Sequence, residues 1–140
     1  MTEGHKMGAR SRRKDGWYAT FPLTPYPVTL LVCVGMPYQK MLMVVQPFNQ
    51  TPLTLEEQAS LQLHTMAKTM RLNNGHIVMQ LSTLTHKVSD LTNLVHETFH
   101  VVDFLFDRIG LSLTLASDEA YAYLLSSVFQ RIFIASDAHQ

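Results

Sequence analysis

The sequence predicts one compact α+β domain, in which a small, mostly antiparallel sheet packs against helices. The segment "YPVTLLVCVG" (26–35) is rich in β-branched and apolar residues and is bounded by Pro27 and Gly35, as is typical of a strand. An apolar pattern with the period of a helix runs from Ser89 to Gly110. The chain has 140 residues, 46% of them hydrophobic, which fits a single domain with one core.

The first half of the domain predicts two neighbouring strands. The segment "KMLMVVQP" (40–47) is apolar, follows a turn-like "GMPYQ" and ends at Pro47. We therefore expect it to pair with the strand in 26–35, as the second arm of a hairpin.

A helix is predicted over "TPLTLEEQASLQLHTMAKTM" (51–70), where Thr54 and Glu57 have the spacing of a capping box. The "NNG" at 73–75 ends this helix, and "HIVMQLS" (76–82) predicts a further strand. The strand has one apolar face formed by Ile77, Met79 and Leu81.

The longest predicted helix begins at Ser89, a favoured N-cap residue, has Asp90 in its first turn and ends at Gly110. One stripe of this helix is polar, and we expect the core-facing residues to be Val95, Phe99, Val102, Phe106 and Ile109.

A last helix is predicted through "EAYAYLLSSVFQRIF" (119–133), after the loop "LSLTLA" (111–116). Ser117 and Asp118 can cap its start. The expected packing face is Tyr121, Leu124, Leu125, Val128 and Phe129.

Residues 1–16 differ from the rest, because they are basic and almost without apolar side chains. We expect a disordered basic tail, followed by a single domain over 17–140. The tail is a solubilising leader or a nucleic-acid contact. The leader is favoured, because no aromatic residue interleaves its charges and the rest of the chain is mildly acidic.

Composition also limits the setting of the protein. Cys33 is the only cysteine, which excludes an internal disulfide and a cysteine-based zinc site. We expect no membrane segment, because no apolar run reaches the ~18 residues that a membrane helix needs, and we see no secretory signal. A cytoplasmic protein is the expectation.

The stretch "LVHETFHVVDFLF" (94–106) places two histidines and a glutamate on the long helix. His96 and His100 are one turn apart, so both imidazoles can meet one metal ion. Glu97 projects to one side, which suits a carboxylate that contacts a water on the metal and acts as general base. The three residues form H-E-x-x-H, a pattern typical of a zinc site. The alternative is that they belong to the polar stripe of an ordinary amphipathic helix.

Zinc prefers a third protein ligand, and Glu119 can supply it if the last helix folds back beside the long one. Tyr123 lies one turn later on the same face as Glu119. Either Tyr123 or Tyr121 can donate to an oxyanion, or can simply pack. Asp103, one turn beyond His100, can accept a ring N–H from that histidine or can be an ordinary solvated aspartate.

"HETFH" followed by the glutamate of "SDEAYAY" resembles the arrangement of gluzincin metallopeptidases, in which a second helix supplies the third ligand. The wider layout, with "YPV" opening a strand, a strand before the long helix and "LVHE" at the start of the motif, is similar to small zincin-like proteins encoded by bacteriophages. The resemblance covers about residues 26–133.

The resemblance implies a minimal zincin-like domain that binds Zn²⁺ through His96, His100 and Glu119, with Glu97 as the catalytic base. It also implies that "HIVMQLS" is the strand beside the cleft and pairs with an extended peptide. HExxH classes that continue with Gly and a third His are excluded, because the corresponding residues are Asp103 and Phe106. The chain is also too short for the second lobe that completes the cleft in larger gluzincins.

The expected function is therefore that of an enzyme, a zinc-dependent metallopeptidase (a hydrolase) acting on a peptide or protein in the cytoplasm, the host cytoplasm if a phage encodes it. The retained Glu97 favours this reading, because a structural zinc site needs no base beside it. The missing lobe favours the alternative, a catalytically weak or inactive zinc-binding protein that acts as a partner-binding module. Binding of nucleic acid rests on the basic tail alone.

Overall fold

A four-stranded mixed sheet forms the centre of the protein. The computed structural model describes residues 15–62 and 66–139. Strand β1 pairs antiparallel with β2, β2 parallel with β4, and β4 antiparallel with β3, so the spatial order is β1-β2-β4-β3. The α+β class and the mostly antiparallel sheet are thus confirmed. The strands are β1 Trp17–Pro22, β2 Thr29–Val34, β3 Ala67–Arg71 and β4 Ile77–Leu81.

Helices cover both faces of this sheet. They are α1 Tyr38–Asn49, α2 Leu55–Gln62, α3 Val88–Arg108 and α4 Asp118–Asp137. Alternate residues of β2 and β4 pack towards opposite layers, as the pleat of a strand requires. The α3–α4 side buries Leu30, Val32, Ile77, Met79 and Leu81 with Leu94, Val101, Leu105, Val128 and Ile132. The α1–α2 side buries Leu31, Cys33, Met70 and Val78 with Met41, Val45 and Leu61.

The predicted hairpin is wrong, because residues 40–47 belong to helix α1. The buried residues of α1 are Met41, Val45 and Asn49, four positions apart, whereas Met43 is 70% exposed. A strand would instead have buried alternate residues. The antiparallel neighbour of β2 is β1, which precedes it in the chain.

The helix predicted over 51–70 is confirmed only for Leu55–Gln62. Its capping box is present, since the Thr54 N–H donates to Glu57 Oε1 at 2.9 Å and the Glu57 N–H donates to Thr54 Oγ1 at 3.0 Å. Residues 67–71 form β3 instead of a last helical turn, because their backbone groups pair with β4. Residues 63–65, including His64, lie outside the described residues, as do residues 1–14 of the predicted tail.

The strand predicted over 76–82 is confirmed as β4, but its expected role beside the cleft is wrong. Strand β4 lies between β2 and β3, so both of its edges are already paired. The edge of the sheet on this side is β3. Any peptide that extends the sheet there must pair with β3 and not with β4.

Helix α3 starts at Val88, and its N-cap position is occupied by Lys87, two residues before the predicted N-cap Ser89. Its sheet-facing residues are Leu94, Val101 and Leu105. Val102 and Phe106 are buried as predicted, because Tyr121 of α4 packs there. The expectation that Val95 and Phe99 face the core is wrong, since these side chains are 46% and 40% exposed.

Helix α4 packs as predicted. Tyr121 and Val128 are buried, and Leu124, Leu125 and Phe129 are half-buried against the core. Ser117 precedes the helix, but its hydroxyl donates to the Ser112 carbonyl at 2.6 Å and orders the preceding loop. Within residues 15–62 and 66–139, no helix is long and apolar enough to cross a membrane.

Glu57 links two elements and gives a test of this fold. Its carboxylate is buried, and besides closing the capping box it accepts the Asn73 N–H at 2.9 Å from the β3–β4 turn. We expect Glu57→Ala to lower the free energy of unfolding by about 2–4 kcal/mol, because it leaves two backbone donors without their charged acceptor. Urea denaturation measures this change. The control is Glu56→Ala, an exposed residue of the same helical turn, which should change stability by no more than about 0.5 kcal/mol. Equal effects of the two substitutions would contradict the role of Glu57.

Candidate metal centre

His96 and His100 meet on the outer side of α3. Their Nε2 atoms are 3.2 Å apart, and the ring planes are inclined at 72°. His96 is exposed and His100 is half-buried. Tetrahedral zinc with Zn–N bonds of about 2.0–2.1 Å holds two ligand nitrogens roughly 3.4 Å apart. The spacing of the two Nε2 atoms therefore fits two ligands of one zinc ion, although one ring can also simply donate a hydrogen bond to the other.

Glu97 points in a different direction from the two histidines. Its side chain is only 6% exposed, and its Oε1 accepts a hydrogen bond of 2.7 Å from Thr69 Oγ1. Thr69 lies on the edge strand β3, where it is paired with Met79 of the α3-facing layer. The Thr69 hydroxyl therefore fixes the carboxylate of Glu97 at the junction of α3 and β3, and a buried carboxylate needs such a donor.

Thr69 was missed by the sequence analysis. Its segment was predicted as the end of a helix, and its contact with Glu97 joins residues 28 positions apart. Arg71 makes a second link between the same elements, because its guanidinium lies 2.7 Å from the Asp107 carboxylate and 5.5 Å from the centre of the Phe104 ring. These two contacts hold β3 against α3.

Glu119 and Tyr123 lie at the start of α4, and both are exposed, Tyr123 by 73%. Tyr121 is the residue of this turn that packs on α3, and residues two positions away in a helix lie on the opposite side. Among residues 15–62 and 66–139, no three or more His, Cys, Asp or Glu side chains converge in a group that could hold a metal ion. Glu119 thus does not join the histidine pair in this arrangement, and its role as third ligand stays a prediction.

Asp103 has a different partner from the one expected. Its Oδ1 accepts the hydroxyl of Tyr121 at 3.1 Å, which connects α3 to α4 beside the histidines. Burial and the neighbouring Asp103 raise the pKa of Tyr121 to about 12, so this hydroxyl keeps its proton at neutral pH. The Phe99 ring contacts both His100 and Tyr121. Its centre lies 6.0 Å from that of the His100 ring and 5.5 Å from that of the Tyr121 ring.

The other candidate residues have ordinary structural environments. His76 Nδ1 accepts the Thr29 N–H at 3.0 Å, and His86 lies 2.9 Å from the carboxylate of Asp137. Cys33 is buried in the sheet, and burial raises the pKa of its thiol to about 12. The predicted hydrogen-bonded character of His76 and His86 and the predicted burial of Cys33 are thus confirmed.

Comparison with protein-family models, with curated proteins and with solved structures finds no match to this chain. The resemblance to gluzincins therefore rests on the motif and on the layout of the elements.

The contact between Thr69 and Glu97 leads to a test. We expect Thr69→Val to lower the free energy of unfolding by about 1–3 kcal/mol, because the buried carboxylate loses a hydroxyl donor. Thr69→Ser, which keeps the hydroxyl, should lose less. In a Glu97→Leu background, Thr69→Val should cost little, and a double-mutant cycle by urea denaturation measures the difference. An equal cost in both backgrounds would show that the hydrogen bond does not hold Glu97.

Proposed function

We propose that this protein is a zinc-dependent metallopeptidase. The observation that carries the proposal is the pair of Nε2 atoms 3.2 Å apart with the ordered carboxylate of Glu97 on the same helix turn. His96 and His100 provide two zinc ligands, and Glu119 is the proposed third. A buried glutamate next to one exposed and one half-buried histidine fits a general base better than it fits the solvated stripe of a surface helix.

Each residue has a defined task in this proposal. Zinc bound by the histidines would polarise the scissile carbonyl and increase the acidity of a water molecule. Glu97 accepts the proton of the attacking water and returns it to the leaving amine. The hydrogen bond from Thr69 restricts the carboxylate to one orientation, which lowers the entropic cost of proton transfer.

The substrate is an extended peptide that lies along β3. Edge strands can pair with an incoming segment, whose backbone then adds a strand to the sheet. Thr69 of β3 touches Glu97, so a peptide bound at this edge lies beside the proposed base. Tyr123 is the proposed donor to the oxyanion, because Tyr121 already donates its hydroxyl to Asp103.

The second candidate function is a zinc-binding module that engages a protein partner without cleaving it. The specific observation in its favour is that β4, the strand that the resemblance places beside the cleft, is paired on both edges and so cannot bind an extended peptide. For either function we propose a cytoplasmic setting, the host cytoplasm if a phage encodes the protein, since a chain with a single cysteine has no internal disulfide to form.

The test is cleavage of a diverse peptide library by zinc-loaded protein. We expect wild type to cleave, and Glu97→Gln to reduce the rate by about 10²–10⁴-fold, the usual contribution of a general base. Zinc content should be unchanged in this variant, since Glu97 is not a proposed ligand. Product formation is measured by mass spectrometry.

The matched control is Glu56→Gln, an exposed glutamate on α2, which should cleave like wild type. Cleavage that survives Glu97→Gln would point to a contaminating protease. Absence of cleavage by zinc-loaded wild type would contradict the peptidase and leave the binding module.

A further inference from the structure

A surface pocket of about 390 Å³ lies at one edge of the sheet, and the proposed metal site does not use it. It is located where the parallel strands β2 and β4 end, at Val34–Gly35 and at 82–85. The carboxyl ends of parallel strands are the common place for ligands in such sheets, and the volume is in the range that holds small groups.

Two glycines line the pocket where the chain enters β1 and leaves β2. Gly16 and Gly35 both have positive φ, at 78° and 63°. A Cβ at Gly16 would lie 2.4 Å from the Val34 carbonyl oxygen, so no side chain can be added at Gly16 without moving β2.

An aromatic wall adjoins the glycines. The ring of Trp17 is stacked on that of His139, with centroids 4.3 Å apart and planes 1° from parallel. Both residues line the pocket. A flat group can stack against such a surface, and the indole attracts cations through its π system.

Thr83 and Thr85 are polar residues that line the pocket, and both are hydrogen-bonded to the carboxylate of Asp90. The hydroxyls of Thr83 and Thr85 donate to the two carboxylate oxygens of Asp90, at 2.7 and 2.5 Å. Because the Thr83 hydroxyl donates its hydrogen to Asp90, it can only accept a hydrogen bond from a ligand. Burial alone would raise the pKa of Asp90. Hydrogen bonds from Thr85 and Thr83 and the charge of Lys87 have the larger effect and lower this pKa, so Asp90 is ionised at neutral pH.

We propose that this pocket binds a guanidinium group, either the arginine side chain of a peptide or a free guanidino compound. A guanidinium is planar and can stack against the Trp17–His139 pair, it carries only donors and so complements the Thr83 oxygen, and its charge is attracted by Asp90. A lysine ammonium lacks the planar surface and should bind less well. This inference does not depend on the metal site.

Trp17 is the single tryptophan of the chain, so its fluorescence reports on the pocket directly. The probe is Nα-acetyl-arginine amide, titrated to about 10 mM, beyond a Kd of roughly 1 mM. We expect a saturable change, and binding about tenfold weaker or more for the uncharged analogue Nα-acetyl-citrulline amide. Methylguanidine, which carries the guanidinium and no second charge, separates the sources: equal binding assigns the affinity to the guanidinium alone, and weaker binding assigns part of it to the rest of the arginine residue.

Variants locate the site. Thr83→Val should weaken binding of the arginine probe about tenfold, since each such loss is about 1.4 kcal/mol, whereas Thr83→Ser should retain it. The matched control is Thr92→Val, an exposed threonine of α3 that donates to the Val88 carbonyl and does not line the pocket. No saturable change in wild type, or citrulline binding as tight as arginine, would overturn the proposal without reference to any variant.

Discussion

The packing of α3 across one face of the sheet determines where each side chain of the candidate metal centre points. Leu94, Val101 and Leu105 lie on the buried layer of β2 and β4, and this fixes the rotation of the helix about its axis. At that rotation His96 and His100 face outward, and Glu97 faces the edge strand. Burial of one apolar stripe, which contributes about 1.5–3 kcal/mol per large side chain, thus also sets the geometry of the polar residues.

Three buried carboxylates form hydrogen bonds that connect elements of this fold. Glu57, Asp90 and Glu97 are all less than one-tenth exposed, and each accepts hydrogen bonds from threonine hydroxyls or from backbone N–H groups. Without those donors, burying each charge would cost several kcal/mol. Each carboxylate also connects a helix to another segment of the chain. The hydrogen bonds that offset the desolvation of the charge therefore also hold each helix to the turn, loop or strand beside it.

The long helices could be predicted from the sequence, because α3 and α4 have sustained helical periods and clear ends. The H-E-x-x-H spacing likewise predicted that two imidazoles meet, since one helical turn separates them whatever packs around the helix. The short apolar segment of α1 was ambiguous, because eight residues rich in Met, Leu and Val fit a strand or a helix equally well. Only the tertiary contacts of Met41 and Val45 decide between them.

The environment of Glu97 was not predictable from local pattern. Its partner Thr69 lies on a strand whose sequence, "AKTMR", also fits a helix, because Met70 follows Met66 by about one helical turn. The exposure of Val95 and Phe99 depends similarly on which stripe of α3 the sheet covers, and two apolar stripes were available. Long-range contacts, and not the motif, therefore place the proposed base at the junction of α3 and β3.

The central claim is that His96 and His100 bind zinc, and metal content tests it most directly. Protein purified without added zinc and then supplied with one equivalent is analysed by mass spectrometry, for wild type, His96→Ala, Glu119→Gln and the control His86→Ala, whose ring pairs with Asp137 outside the proposed centre. We expect about one zinc per chain in wild type and His86→Ala, loss in His96→Ala, and weaker retention in Glu119→Gln, as is usual for three protein ligands. Wild type that holds no zinc, or His96→Ala that holds as much as wild type, would contradict this claim.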